Sequence, residues 1–372
     1  MQPKVSIIVP VYNVEQYLVV AMDSLVNQTL KDIEIVCIND GSTDSSLSIL
    51  RRYAENDDRI VLIDKENGGY GIGMNLGIDT ATGEYIGILE PDDYVPLNMF
   101  EELYEIAHNN DLDFVKADFY RFASKEDGTE EKTYVNLSPN NEDYNVVFNP
   151  SKTPLSAKFV MNTWSGIYRR SFLNEYHIRH NTTPGASYQD NGFWIQTFMF
   201  AERAMIVDKP YYMNRRDNPN SSVYNPNKVY TMNIEYDHIR DIFMEHPDRW
   251  EVYKGAYWYK KYYSYDASLK RVAQQFKKDY LERFSREFKR GRELGEIDYS
   301  YFTEKGRKDI EMLIEHPEQY YDKYVLKKKP AAKKPEAKQE AKPEPKKSLY
   351  ERLKKRIPKP VKDTIKKIIG KK

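Results

Sequence analysis

Short apolar runs alternate with helical patterns near the start of the chain, and this alternation constrains the fold more than any other feature. Repeated strand–helix–strand units predict an α/β fold with a mostly parallel sheet covered by helices. The predicted strands and helices are, in chain order, Val5–Pro10, helix Val14–Asn27, Ile33–Ile38, helix Ser45–Asn56, Ile60–Asp64 and Tyr85–Leu89.

Polar loops follow three of these strands. They read VYN after the first strand, NDGSTD at Asn39–Asp44, and EPDD at Glu90–Asp93, and a Gly-rich connection lies at Asn67–Ile78. Because α/β sheets bind ligands at the carboxyl ends of their strands, these loops predict one pocket. The acidic loop predicts a metal ion and a phosphorylated ligand. Ordinary strand–helix turns are the alternative. They would explain any single loop, but they explain the ordered set of loops poorly.

The later part of the chain changes character twice. Further strands are predicted at Asp113–Phe122 and Ile206–Tyr212, and the polar segment Lys125–Pro154 reads as a surface excursion. After Pro226, long helical stretches rich in Tyr, Lys and Glu continue to about Leu326. We therefore expect an α/β domain over residues 1–225 and a helical region over 226–326. The aromatic stretch within that region predicts packing, with a sugar-binding platform as the alternative.

The ordered motifs resemble those of family 2 glycosyltransferases with the Rossmann-like GT-A fold, over about Val5–Asp217. The resemblance implies an inverting bacterial enzyme that moves a sugar from a nucleotide-diphospho-sugar, in the first instance a UDP-sugar, to a saccharide or polyprenyl-linked acceptor in surface polysaccharide or glycoconjugate biosynthesis. A nucleotidyltransferase is one alternative, but VPVYNVEQYL lacks the Gly-rich basic signature it would need. A catalytically degenerate nucleotide-sugar-binding or scaffold protein at the membrane is the other.

The resemblance also implies which residues hold the donor. The loop after the first strand would seat the base and ribose, Asp40 would accept from the uracil imide, and Gly41 would allow close backbone approach. A Tyr12 ring can pack on a base, and a ring that merely covers the sheet end is the alternative. The residues assigned to the donor in this way are Pro10, Val11, Tyr12, Asn13, Asp40, Gly41 and Asn75.

The predicted contacts to the donor diphosphate differ from those usual in the family. Family members commonly carry Ala-Arg before the Asn of the third motif, where the Arg meets the diphosphate, and Gly73 and Met74 stand there in this chain. That phosphate partner is therefore missing. Arg215 and Arg216 are the predicted phosphate clamps, since guanidinium suits bidentate phosphate contacts. Surface ion pairs are the alternative role for both.

The acidic loop occupies the family's DxD position. The resemblance implies that Asp92, with Asp93 nearby, holds a Mn²⁺ or Mg²⁺ ion, and that Glu90 replaces the Asp that often contacts the ribose. Carboxylate oxygens are ligands that hard cations prefer. The ion would neutralise the departing diphosphate as a Lewis acid. A solvated acidic turn is the alternative.

A second acidic motif, TPGASYQDNGFW at Thr183–Trp194, lies where inverting members carry the general base. The resemblance implies that Asp190 deprotonates the acceptor hydroxyl. Capping of a helix that starts near Asn191 is an alternative role compatible with catalysis. Tyr188 and Trp194 would shield the base and stack on sugars, and Trp164 would shape the acceptor side.

The charge of the chain is divided unevenly. Residues 327–372 carry 19 Lys/Arg against 5 Asp/Glu, and the rest carries 38 against 52, so an acidic body precedes a basic tail. This argues against nucleic acid as a partner of the body. The segment 327–347 reads as a disordered linker, and 348–372 as a broken basic amphipathic helix. We expect that helix to bind an anionic membrane surface; nucleic acid or a protein partner are alternatives.

The remaining features bear on location. The single cysteine, Cys37, lies in an apolar strand and excludes an internal disulfide framework, which fits a reducing compartment. No signal peptide is evident, and no apolar stretch reaches the length of a spanning helix. The sequence therefore predicts a cytoplasmic protein that lies peripherally on the inner face of the plasma membrane.

Overall fold

The computed structural model describes residues 2–125, 127–186, 188–221, 225–226 and 228–327. One mixed eight-stranded sheet forms the framework. Its strands are β1 (Val5–Val11), β2 (Ile33–Asp40), β3 (Ile60–Lys65), β4 (Tyr85–Ile88), β5 (Phe114–Ser124), β6 (Glu130–Val135), β7 (Gly166–Arg169) and β8 (Ala204–Arg215).

Helices cover the sheet and then continue beyond it. The helices are α1 (Glu15–Val26), α2 (Ser46–Ala54), α3 (Tyr70–Thr80), α4 (Met99–Asn109), α5 (Arg170–Glu175), α6 (Gln189–Phe200), α7 (Thr231–Glu245), α8 (Pro247–Arg271), α9 (Lys277–Glu293), α10 (Glu304–Glu315) and α11 (Pro317–Tyr324). The predicted α/β architecture and the helical C-terminal region are both confirmed.

The strand order places several carboxyl ends at one edge of the sheet. The order is β3-β2-β1-β4-β7-β5-β6, and β8 pairs with β5. Strands β1 to β4 are parallel to their neighbours within that set, whereas β7 runs antiparallel between β4 and β5. Strands β5 and β8 are parallel to each other, so they end at the same edge as β1, β2 and β4.

Burial explains why the first strands were predictable from the sequence. The Val and Ile side chains of β1 and most of those of β2 are fully buried, so both strands are covered on both faces. A strand covered on both faces reads as a continuous apolar run rather than as an alternating one. The six predicted strands are all present, within one to three residues of their predicted ends.

Three elements differ from the sequence prediction. The Gly-rich connection forms helix α3, whose glycines pack closely against neighbouring segments rather than forming a loop. The segment predicted as a surface excursion contains β6, which pairs with the end of β5. Its sequence, EEKTYV, is polar because the strand is mostly exposed. Strand β7 has only four residues, too few to show a period.

The C-terminal helices pack on α6 through aromatic side chains. The hydroxyl of Tyr253 on α8 donates to the carbonyl of Phe198 on α6 at 2.6 Å. Trp250, Tyr257 and Tyr265 of the aromatic stretch are all buried, which favours the packing role over a sugar platform. Residues up to Lys327 form one compact unit. The predicted domain boundary near residue 225 stays a prediction.

The tail predictions fall on residues whose structure is not described. The linker beyond Lys327 and the amphipathic helix at 348–372 lie outside the described residues, so both stay predictions. Within the described residues, no helix combines the length and the apolar character needed to cross a membrane.

Candidate active site

A cavity of about 950 Å³ opens at the sheet edge where β1, β2, β4, β5 and β8 end. It brings together most of the predicted site residues, although they come from distant parts of the sequence. The predicted residues that line it are Pro10, Val11, Tyr12, Asp40, Glu90, Asp92, Asp93, Trp164, Tyr188, Asp190, Arg215 and Arg216. Asn13, Gly41, Asn75 and Trp194 are not among the lining residues.

Asn13 and Gly41 instead shape the loops after β1 and β2, at the end of the cavity lined by Tyr12 and Asp40. The side-chain oxygen of Asn13 accepts from the amide of Thr43 at 2.8 Å, which ties the loop after β1 to the loop after β2. Gly41 has a φ of 71°, and a Cβ there would lie 2.8 Å from the amide nitrogen of Asn67. Both residues support this end of the cavity from behind.

Asn75 and Trp194 have structural contacts away from the cavity. The Asn75 side chain accepts from the amide of His180 at 2.8 Å and donates to its carbonyl at 2.9 Å. Trp194 is 1% exposed, and the Nζ of Lys260 lies 4.5 Å from the centre of its ring. Asn75 therefore fixes the segment that leads to α6, and Trp194 packs in the core behind that helix.

Asp40 joins β2 to the start of α3. Its carboxylate accepts from the amides of Gly68 and Gly69 at 2.8 and 2.9 Å, and it pairs with the Lys65 ammonium. Burial alone would raise the pKa of Asp40, but these hydrogen bonds and the Lys65 charge hold it below its ordinary value. The nearby ring of Tyr12 is 50% exposed at the mouth of the cavity. Contact of either residue with a base stays a prediction.

Glu90 lies deep in the cavity, held from two sides. It accepts from the Tyr70 hydroxyl at 2.8 Å, and its amide donates to the Tyr212 hydroxyl oxygen at 3.0 Å. Burial raises the pKa of Glu90 to about 8; the Tyr70 hydrogen bond lowers it, while the charges of Asp92 and Asp190 raise it further. Burial of this carboxyl beside two other acids therefore favours its protonated form.

The two aspartates of the acidic loop have different surroundings. Asp93 is 2% exposed and accepts from the amide of Arg215 at 2.6 Å and from Asn214 at 3.1 Å. Burial and the neighbouring Asp92 charge raise the pKa of Asp93 well above its ordinary value. Asp92 is less buried, and one of its oxygens accepts from Asn218 at 2.7 Å. Asp93 thus fixes the loop to β8, and Asp92 is the more exposed of the two aspartates that line the cavity.

The donor set fits a divalent cation shared with a phosphorylated ligand. Among the described residues, no group of three or more His, Cys, Asp or Glu side chains is arranged to hold a metal ion by itself. Mg²⁺ binds through one or two carboxylates together with substrate phosphates, so Asp92 with a diphosphate would suffice. The raised pKa values of Glu90 and Asp93 arise in part from neighbouring carboxylate charges, which a cation would neutralise.

Arg215 braces the acidic loop rather than projecting freely into the cavity. Its guanidinium lies between the rings of Tyr17 and Phe122, 4.7 and 4.5 Å from their centres. It donates to the Asp92 carbonyl at 2.9 Å and pairs with Asp217 at 3.2 Å. The ion pair predicted as an alternative is therefore present for Arg215, whose role toward phosphate stays a prediction.

Asp190 lies in the first turn of α6 and lines the cavity. The helix begins at Gln189, and its N-cap is Tyr188, with a φ of 68°. The alternative role of Asp190 as the helix cap is therefore not the one observed, because the helix starts before it. Burial raises the pKa of Asp190, although the amides of Asn191 and of Asp190 itself oppose the shift. A half-buried carboxylate with a raised pKa suits a general base.

Glu235 on α7 is a site residue that the sequence reasoning missed. It is fully buried and accepts from the amide of Gly192 at 2.9 Å and from the Asn181 side chain at 3.1 Å. Burial raises the pKa of Glu235 to about 8, and the Asp190 charge adds to the shift. Helical spacing with the buried Tyr236 and Ile239 places Glu235 on the apolar face of α7, which was the available signal.

We expect Glu235→Gln to change how stability depends on pH. A carboxyl with a folded-state pKa of about 8 binds a proton that the unfolded chain releases near pH 4.5, so stability is lost as pH rises between these values. The variant removes that loss. The free energy of unfolding of the wild type should fall between pH 5 and pH 8, and in Glu235→Gln this fall should be smaller by about 2 kcal/mol or more, at about 1.4 kcal/mol per pKa unit. Urea denaturation of both proteins at the two pH values measures the difference.

The matched control for this prediction is Glu282→Gln, an exposed glutamate on α9. This variant should keep the pH dependence of the wild type. Equal pH dependence in wild type and Glu235→Gln would contradict the burial of an ionisable carboxyl at this position.

The sheet and the acidic loop that follows β4 define the class, an α/β protein of the GT-A fold. The family model of glycosyl transferase family 2 matches residues 6–177, slightly less than half of the chain. The resemblance stated from the sequence motifs is thereby confirmed.

Similar curated proteins are bacterial. The chain is 38% identical to the uncharacterized glycosyltransferase EpsJ of Bacillus subtilis (strain 168), over 61% of this chain and 65% of that protein. It is 31% identical to glycosyltransferase GlyA of Streptococcus pneumoniae serotype 4, over 57% of this chain and 30% of GlyA. The chain thus spans less than two thirds of either relative.

A third relative and a solved structure extend the comparison. The poly(ribitol-phosphate) beta-glucosyltransferase of Bacillus spizizenii is 30% identical over 59% of this chain and 34% of that protein. The structure of S. aureus TarS 1–349 in complex with UDP-GlcNAc aligns with a TM-score of 0.62, covering 85% of this chain and 89% of that chain, at 17% identity. At this identity the likeness shows the fold alone.

Proposed function

We propose that this chain is a glycosyltransferase that moves a sugar from a nucleotide-diphospho-sugar, in the first instance a UDP-sugar, to a hydroxyl of a saccharide or lipid-linked saccharide. The observation that carries the proposal is that one cavity holds Asp40, Asp92 and Asp190 on its walls, contributed by β2, the loop after β4 and α6. We assign Asp40 to the nucleotide end of the cavity, Asp92 to the region of the diphosphate and cation, and Asp190 to the role of general base.

The proposed chemistry is a single direct displacement. The oxygen of the acceptor hydroxyl attacks the anomeric carbon of the donor sugar while Asp190 accepts the hydroxyl proton. This direct attack inverts the configuration at the anomeric carbon. The bond from that carbon to the diphosphate breaks, and the electron pair leaves with the diphosphate. A Mn²⁺ or Mg²⁺ ion held by Asp92 would supply Lewis-acid stabilisation of the leaving group. Tyr70 and Tyr212 keep Glu90 in place beside this region.

Two comparisons support the donor and product classes. TarS, which shares the fold, has been crystallised with UDP-GlcNAc and with UDP. Several relatives carry names from cell-surface polymer synthesis, among them the Bacillus subtilis minor teichoic acid biosynthesis protein GgaB, 40% identical over 30% of this chain. We therefore place the product among surface polysaccharides or glycoconjugates.

Calorimetric titration of UDP tests the donor part of the proposal. We expect UDP to bind the wild type more tightly with Mn²⁺ than with EDTA, since Asp92 would hold a cation that offsets the charge of the diphosphate. Asp92→Asn should abolish the difference between the two conditions. The control Asp248→Asn alters an exposed acid on α8, away from the cavity lining, and should retain the difference. A Mn²⁺ effect that persists in Asp92→Asn would overturn the assigned ligand.

A degenerate donor-binding protein remains the second candidate, because the phosphate-binding Arg of the third motif is absent. Met74, which stands there, is fully buried in the core and offers no group to a ligand. Such a protein would bind UDP without releasing it from any UDP-sugar. The transfer assay and the binding assay together distinguish the two candidates.

We also propose that the basic tail holds the enzyme at an anionic membrane surface, where lipid-linked acceptors are found. The charge of residues 327–372 supports this, with 19 basic against 5 acidic residues. Each basic residue near such a surface contributes about 1 kcal/mol. Deletion of residues 348–372 should move the protein from the membrane to the soluble fraction at low salt, and retention on membranes would refute the proposal.

A further inference from the structure

Glu235 on α7 contacts the helix that carries Asp190 without lining the cavity itself. Its Oε1 accepts from the amide of Gly192 at 2.9 Å, two residues after Asp190 in α6. Its Oε2 accepts from the side chain of Asn181 at 3.1 Å. Glu235 is fully buried and is not among the residues that line the cavity. Any effect of Glu235 on the cavity must therefore pass through α6 and the segment that leads to it.

Gly192 provides the space that this contact needs. A Cβ at position 192 would lie 2.3 Å from Oε1 of Glu235, well inside contact distance. The nearest atom outside Glu235 would be Cγ1 of Ile239, at an ordinary 3.7 Å. Glycine lowers helix propensity, so the helix alone does not account for it here. The lack of a side chain at Gly192 lets the carboxyl group reach the helix backbone.

The second partner of Glu235 belongs to a segment that is fixed on α3. The carbonyl oxygen of Asn181 lies so close to α3 that a Cβ at Gly71 would approach it to 1.9 Å. The adjacent residue, His180, bonds through its amide and its carbonyl to the side chain of Asn75 on α3, at 2.8 and 2.9 Å. Glu235 thus joins a segment that α3 holds in place to the first turns of α6.

Hydrogen bonds, and not an ion pair, make up the contacts of Glu235. Both of its partners are neutral amide groups, and the charge that acts on it is that of Asp190, which has the same sign. Glutamine has the same shape as glutamate. It would offer an oxygen to the Gly192 amide and, once the Asn181 amide turns over, an NH₂ group to the Asn181 oxygen. Glutamine should therefore replace Glu235 in this role, whereas alanine should not.

We propose that Glu235 is a positioning residue for the glycosyl transfer, whose hydrogen bonds to Gly192 and Asn181 hold Asp190 where it reaches the acceptor hydroxyl. This inference rests on the proposed function and adds to it a residue that does not touch the substrate. A misplacement of about 1 Å in a reacting group can cost about 100-fold in rate. Loss of these hydrogen bonds should therefore lower the turnover number and leave donor binding largely intact.

The first test measures the turnover number and the KM for the donor. UDP-GlcNAc and UDP-glucose serve as donors with a membrane-lipid extract, and UDP release is divided by the amount of folded protein. Glu235→Ala should lower kcat by about tenfold or more and leave the KM for the donor within about twofold. Glu235→Gln should keep kcat within about threefold of the wild type. An equal loss in both variants would overturn the role assigned to the hydrogen bonds.

A double-mutant cycle tests the same contact from the side of α6. Gly192→Ala should displace the carboxyl group and lower kcat about as much as Glu235→Ala does. In the Glu235→Ala background the same change meets Ile239 at 3.7 Å and should cost less than about a further twofold. Losses that multiply in the double variant would show that the two residues act independently, which would overturn the proposal.

Hydrogen exchange gives a readout that does not depend on the choice of donor. The amides of residues 189–195 should exchange about tenfold faster in Glu235→Ala than in the wild type, and Glu235→Gln should restore slow exchange. The control Phe243→Leu alters a buried ring of α7 that packs on Trp250 and Tyr253. It should lower stability without faster exchange at 189–195 and without loss of kcat per folded protein.

The two readouts separate failure of this inference from failure of the proposed function. Wild-type exchange and wild-type kcat in Glu235→Ala would overturn the inference, as would equal effects in Phe243→Leu. Absence of UDP release by the wild type would instead count against the proposed function. The exchange rates would then still decide whether Glu235 holds the start of α6.

Discussion

Asp190→Asn should lower the turnover number for sugar transfer by about 10²- to 10⁴-fold, the range contributed by a positioned general base. Asparagine keeps the size of the side chain but cannot accept the proton of the acceptor hydroxyl. Asp190 lies in the first turn of α6 and lines the cavity, and burial raises its pKa, which would make the carboxylate a better proton acceptor. The measurement is the initial rate of UDP release at saturating donor and acceptor.

The same variant should bind UDP as the wild type does, because Asp190 is assigned to the acceptor hydroxyl and not to the donor. Its unfolding midpoint should also be unchanged or slightly raised, since a buried carboxylate is replaced by a neutral group. The control is Asp248→Asn on α8, whose side chain is 79% exposed, and it should keep full activity. Full activity in Asp190→Asn would exclude this residue as the base.

Gly71→Ala should destabilise the protein by about 2 to 3 kcal/mol, which is the upper range for overpacking a well-filled site. A Cβ at position 71 would lie 1.9 Å from the carbonyl oxygen of Asn181, so one of the two segments must move. The Asn181 side chain also donates to Glu235, at 3.1 Å. The displacement should therefore disturb both the start of α3 and the segment that leads to Asp190.

Gly73→Ala is the matched control in the same helix. Its added Cβ would meet only Ile38 Cγ2, at an ordinary 3.6 Å. Alanine is favoured over glycine in a helix by about 1 kcal/mol, so this variant should be as stable as the wild type or slightly more stable. The measurement is the free energy of unfolding in urea. Equal stability of the two variants would contradict the close packing of α3 against residue 181.

The parallel half of the fold was predictable because its strands are buried on both faces. Strands β1 and β2 read as unbroken Val and Ile runs, a local signal that needs no knowledge of tertiary contacts. Strand β6 could not be found in this way, since its side chains are mostly exposed and its sequence is polar. Helix α3 was hidden by glycines, which lower helix propensity but here allow close approach of neighbouring segments.

The positions of site residues were predictable where a sequence motif directly follows a strand. They were not predictable where the packing of a helix determines which of its side chains reach the site. Asp40 and Asp92 follow strands directly, so the topology alone brings them to one edge. Trp194 was predicted at the acceptor side, whereas the structure places it in the core facing Lys260. Glu235 comes from a helix far along the chain, and only the packing of α7 on α6 reveals its contact with Gly192.

The most direct test of the central claim is a transfer assay with the purified chain. The protein is incubated with a panel of nucleotide-sugars and Mn²⁺, with and without EDTA and a membrane-lipid extract, and nucleotide release is measured. The account predicts release from one UDP-sugar that requires the cation, rises with the extract and is lost in Asp190→Asn. Absence of release from every donor, together with no UDP binding by calorimetry, would contradict it.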